Sequence, residues 1–68
     1  MTMTQAMKKM RIARETGKAY IDKNTVVYYG HTGDPSTAEY SLQTRDGLRW
    51  NTVKVSYKPE KIAELIAY

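Results

Sequence analysis

Ala38-Glu39-Tyr40-Ser41-Leu42-Gln43-Thr44-Arg45-Asp46-Gly47-Leu48-Arg49-Trp50-Asn51-Thr52-Val53-Lys54-Val55-Ser56-Tyr57 is the stretch on which the fold turns. Asp-Gly between runs of alternating apolar residues is the strongest short hairpin signal a sequence carries. With Asp46-Gly47 as the turn, strands at 38–45 and 48–57 pair outward from it. Ala38 then faces Val55, Tyr40 faces Val53 and Leu42 faces Asn51; on the other side Glu39 faces Lys54, Ser41 faces Thr52 and Gln43 faces Trp50. Apolar groups meet, and the acid meets the base. A slip of one residue would turn every side chain to the opposite face, so patterning selects this register. It places Trp50 and Leu48 on the polar side of the hairpin, beside Gln43, Arg45 and Lys54.

Toward the N-terminus, 18–22 and 25–31 are rich in Tyr, Val and Ile and read as two more strands. Lys23-Asn24 is the turn between them, Asn24 being a residue that tolerates positive φ. This pairs Ile21 with Val26, Tyr20 with Val27 and Ala19 with Tyr28. Both faces of that hairpin are apolar, which predicts a place in the middle of the structure or cover on two sides. Thr32-Gly33-Asp34-Pro35-Ser36-Thr37 marks a loop.

Outside the strands lie two helices. Met3, Ala6, Met7, Met10 and Ala13 recur at helical spacing over 3–16, with Thr2 or Thr4 to cap the start and Gly17 to stop it. Ile12 falls off that stripe. Pro59 at a first helical position opens a second helix over 59–67, with Ile62, Leu65 and Ile66 on one face. The expectation is a single α+β domain, α-β-β-β-β-α, with an antiparallel sheet of two hairpins and both helices packed on it.

Composition limits what such a domain can do. The chain has 68 residues, no Cys and no Phe. A domain of about 60 residues buries only about 60% of its unfolded surface, too little to enclose a substrate or a dinucleotide. The absence of Cys excludes disulfides and thiolate metal sites. Six Tyr, four Met and one Trp supply what the scarce Leu, Ile and Val do not. No run reaches the ~20 apolar residues of a membrane span, and 1–10 lacks the apolar stretch of a signal peptide. The placement expected is cytoplasmic, with no membrane partner.

His31 is the lone imidazole, and with Asp34, Ser36 or Ser41 it falls short of a catalytic or metal-binding set. No phosphate-binding glycine motif is present. Neither catalytic residues nor a metal or cofactor are expected; an enzyme would need a site shared between copies. Positive charge sits in the first third, where Lys8, Lys9, Arg11, Arg14, Lys18 and Lys23 outnumber Glu15 and Asp22 and account for the net +4. Lys8, Lys9, Arg11, Arg14 and Lys18 are the candidate nucleic-acid contacts. Tyr20, Tyr28, Tyr29 and Tyr40 could stack on bases, but in a chain without Phe they are expected to form the core. Trp50, Leu48, Arg45 and Arg49 are the candidate protein-binding set, because Trp, Tyr and Arg dominate interface hot spots. The competing expectation for Trp50 is that the methionines of the first helix lie over it.

Two functions follow. The first is a small non-enzymatic regulator or inhibitor that binds a larger protein, a host protein if this is one of the small basic chains common among phage and mobile-element products. The second is nucleic-acid binding through the basic helix. Self-association through an outer strand is a further expectation, since thin cores often go with it.

Overall fold

Thr2 begins the structure with a reciprocal cap. The Gln5 N–H donates to the Thr2 hydroxyl (3.2 Å) and the Thr2 N–H donates to Gln5 Oε1 (2.9 Å), which satisfies two amides that a helix start leaves unpaired. Helix α1 runs Met3–Thr16 and stops at Gly17, whose φ of 97° is a left-handed conformation that suits glycine. Strands β1 (Lys18–Asp22), β2 (Thr25–Gly30), β3 (Glu39–Asp46) and β4 (Arg49–Ser56) follow, then helix α2 (Pro59–Ile66), with Pro59 at its N-terminal end. This computed structural model describes residues 1–30 and 38–67. His31 and the loop expected at 32–37 lie outside the described residues. The order α-β-β-β-β-α is the one the sequence predicts; the strand and helix ends move by a residue or so, with β3 and β4 beginning at Glu39 and Arg49 and α2 ending at Ile66.

The sheet is antiparallel, in the order β1-β2-β3-β4. Its registers correct both hairpin readings. The second turn is centred on Gly47-Leu48, not Asp46-Gly47, so Asp46 pairs with Arg49, Arg45 with Trp50, Thr44 with Asn51 and Gln43 with Thr52. Gly47 has φ 64°, and among the described residues none other than glycine has positive φ. Positive φ at the first central position alone is the pattern of a II′ turn, where glycine is needed at that position. Two residues of slip preserve the faces, so Trp50 stays on its expected side. A bulge at Val53 then reverses the parity: beyond it Leu42 pairs with Lys54, Ser41 with Val55 and Tyr40 with Ser56. Lys54 therefore leaves the Trp50 face, Val55 joins it, and Tyr40–Val53 and Glu39–Lys54 do not pair.

The first hairpin has the expected two-residue turn, yet Asn24 does not take positive φ. Instead the Asn24 N–H donates to Asp22 Oδ1 at 2.7 Å, an Asx turn. A bulge at Ile21 shifts the pairs to Lys18–Tyr28, Ala19–Val27 and Tyr20–Val26. The Ile21–Val26, Tyr20–Val27 and Ala19–Tyr28 pairs are thus off by one. The Arg45 N–H donates to the Asn24 carbonyl (2.7 Å), continuing the β2–β3 ladder up to the first turn.

Both helices lie on one face of the sheet. One apolar cluster joins Ala6, Met10 and Ala13 of α1, Ile62, Ala63 and Ile66 of α2, and Ala19, Val27, Tyr40 and Leu42 of the sheet. The first hairpin is accordingly covered on one side, not two. Within α1 the stripe is rotated from its expected position: Met3 and Met7 are exposed while Ile12 packs partly against the core. The physical reason is approach distance. Ala6, Ala13, Ala19 and Ala63 are small, and a helix that presents them can sit closer to the sheet than one that presents Met3 and Met7. On α2 the same choice buries Ala63 and leaves Leu65 54% exposed. Tyr29 stacks obliquely on Tyr40, ring centroids 4.7 Å apart. Burial pushes the Tyr40 phenol above its ordinary value of 10.0, Arg14 pulling the other way and Tyr29 and Glu60 adding to the rise.

Candidate functional site

The helices cover one sheet face and no described helix or strand covers the other. Alternation assigns that open face residue by residue. Inward neighbours Ala19, Val27 and Leu42 are paired in one row and lie in the core, so the rows on either side of it point outward. One row runs Lys18, Tyr28, Ser41, Val55 across all four strands; the next runs Tyr20, Val26, Gln43, Thr52; a third, short row holds Arg45 and Trp50.

Val26 sits in the middle of this face and is wholly buried, yet it does not belong to the core cluster. Among the described residues, side chains of its own face are the ones placed to cover it. By register these are Tyr20 and Gln43 beside it and Tyr28 along its strand. Gln43 Nε2 also donates to Ser41 Oγ (3.3 Å), holding its amide along the sheet surface. The outcome is a small second apolar centre, roofed by two tyrosines that stay 53% and 38% exposed.

Cations stand over the rings at two corners. Lys18 Nζ lies 5.5 Å from the Tyr20 ring centre, and Arg45 Cζ lies 5.7 Å from that of Trp50. Both distances fall within cation–π range, worth about 0.5–1 kcal/mol at an exposed site. Trp50 remains 40% exposed. The expected cover of Trp50 by the α1 methionines is therefore corrected: α1 lies on the other side of the sheet. Among the described residues of this face, Lys18 and Arg45 are opposed by one acid, Glu39, at the margin opposite Gly30.

The candidate protein-binding residues are only partly brought together. Arg45 and Trp50 are cross-strand neighbours; Leu48 is in the turn and fully exposed, and Arg49 flanks it opposite Asp46. Of the candidate nucleic-acid residues, the four on α1 adjoin one another: Lys8 and Arg11 line a shallow depression of about 360 Å³ with Thr4 and Met7, Lys8 also borders a second one with Lys9 and Ile12, and Arg11 a third with Arg14, Tyr40 and Pro59. Lys18 stands apart from them, on the open sheet face over Tyr20. The tyrosines divide as well: Tyr29 and Tyr40 are core, as expected, whereas Tyr20 and Tyr28 are surface. Those two, with Val26 and Gln43, are what the sequence reading missed. Their alternation with Lys18 was present in the letters, hidden by the Ile21 bulge.

Among the described residues there is no group of three His, Cys, Asp or Glu side chains placed to hold a metal ion, and no helix long and apolar enough to cross a membrane. No protein family, curated protein or solved structure matches the chain.

Proposed function

We propose that this is a non-enzymatic binding protein that captures a larger protein on the open sheet face and acts as a regulator or inhibitor by occupying its partner's surface. The observation that supports this most is Trp50, an indole left 40% exposed on a helix-free face with Arg45 over its ring. Trp, Tyr and Arg are the residues in which interface energy concentrates, and Trp50, Arg45, Tyr20 and Tyr28 share one side of the molecule. Their excess of cations over acid favours a partner with an acidic patch.

The test is affinity capture with immobilised wild-type protein and two variants, Trp50→Ala and Lys8→Ala, the latter on the opposite layer. A hot-spot loss of about 2 kcal/mol or more removes the captured partner from Trp50→Ala, about a 30-fold weakening, and leaves Lys8→Ala unaffected. Equal capture by wild type and a folded Trp50→Ala contradicts the proposal.

A second reading is nucleic-acid binding, and the arrangement of Tyr20, Tyr28 and Trp50 with Lys18 and Arg45 favours the sheet face over α1 for it. Single strands bind such surfaces by stacking and by phosphate contact. An anisotropy titration at low salt distinguishes the readings: affinity that falls steeply with salt supports nucleic acid, and absence of binding to single-stranded and duplex probes removes it.

A further inference from the structure

On the helix side, the sheet extends past the helix layer at its turn end. The bulge at Val53 turns that side chain toward the helices but beyond their reach, leaving it 53% exposed, with Leu65 at 54%. Met1, Ile21, Leu42, Val53, Leu65 and Ile66 line a concavity of about 400 Å³ there, with Asp22, Thr25 and Thr44 on its walls and rim. Leu48, in the turn at the same end, is 101% exposed, more than any other large apolar residue.

We propose that this end of the molecule is an interface between two copies of the chain, closed by a two-fold exchange in which the Leu48 turn of each enters the concavity of the other. Three observations support a second copy as the occupant. The inserting group and the receiving surface lie at the same end, which is what a self-complementary two-fold contact requires; groups at opposite ends would give an open chain of copies. Arg49 accompanies Leu48 and meets Asp22 on the rim, an opposite charge. Lastly, the contact is confined to one turn and one concavity of a molecule whose Cα extents are 30 × 30 × 18 Å, small among specific interfaces, which predicts a weak, concentration-dependent dimer and not a permanent one. The contact lies on the other side of the sheet from Trp50 and does not depend on what that face binds.

Sedimentation equilibrium from about 10 μM to about 1 mM tests it. The wild-type mass rises from 7.8 kDa to twice that value and no further. Leu48→Asp and Val53→Asp, both at exposed positions and therefore expected to keep their urea midpoints, stay monomeric, while Trp50→Ala dimerises as wild type does. Because the chain contains no cysteine, equimolar Leu48→Cys and Val53→Cys under mild oxidation report the contact directly: the mixed disulfide forms well beyond the twofold excess over each self-pair that random pairing gives. A wild type that stays monomeric at 1 mM, masses beyond two copies, a dimeric Leu48→Asp, or disulfides at the random ratio would each overturn the exchange.

Discussion

Ile62→Ala leaves much of the protein unfolded. Ile62 is fully buried where α2 meets the rest of the core, and truncation at such a site removes about 2–5 kcal/mol through lost transfer energy and the cavity left behind. A chain of this length has about 3–10 kcal/mol in total, so the loss is a large share of all the stability available. In urea, with a slope near 1 kcal/mol per molar for small domains, the midpoint falls by about 2 M or more. Leu65→Ala, three residues along the same helix but half exposed, shifts it by a small fraction of that. Similar losses at the two positions would mean that α2 is rotated from the orientation described.

Val26→Asp is as damaging, although Val26 lies outside the helix-covered core. Its side chain is wholly buried, with Tyr20 and Gln43 beside it in register, and a carboxylate placed there is stripped of water at a position filled by an apolar group. An uncompensated buried charge costs about 3–5 kcal/mol. Val55→Asp, on the same face but 46% exposed, changes stability by about 0.5 kcal/mol. The pH dependence has a definite sign. Burial raises the introduced carboxyl's folded pKa above its unfolded ~3.9, so the destabilisation is complete above the folded value and is relieved as pH falls toward the unfolded one. A Val26→Asp protein as stable as wild type at pH 7 would show that the tyrosines do not close over this face.

Much of this architecture is legible in single residues. A threonine at the start of α1, Gly17 and Pro59 set helix ends because each satisfies or removes a specific backbone group, which local sequence alone can specify; that Thr2 and not Thr4 is the cap, with Gln5 as its partner, emerges only in the fold. Asp46-Gly47 announces a hairpin correctly; it does not reveal which of its residues occupies the turn, since glycine can serve at either central position depending on turn type. The bulges at Ile21 and Val53 leave no sequence signature of their own. They arise from fitting twisted strands to one another, and each reverses the side-chain parity beyond it, which is why Lys54 and Val55 exchange faces. The choice of covered face was equally hidden. Tyr and Val occur on both sides of the sheet, and the helices settle where the alanines of α1, α2 and β1 permit close approach, a property of three elements together. Trp50 was correctly placed because a slip of two residues keeps parity; Tyr20 and Tyr28 were not, because the slip in their hairpin was one.

Oligomer and binding face, if both hold, combine simply. A two-fold contact at the turn end leaves the open sheet face of each copy available, so a dimer presents two binding surfaces and gains avidity toward any partner that offers two sites.

The proposed binding function depends on the indole at position 50 standing in solvent on a sheet face that no described helix covers. It is the chain's only tryptophan, so its fluorescence reports on that position without interference. In the folded monomer below the dimerisation range, the account predicts red-shifted emission and acrylamide quenching at a substantial fraction of the rate seen in urea. Blue-shifted emission that resists acrylamide until the protein unfolds would place the ring inside, and would contradict the open face itself.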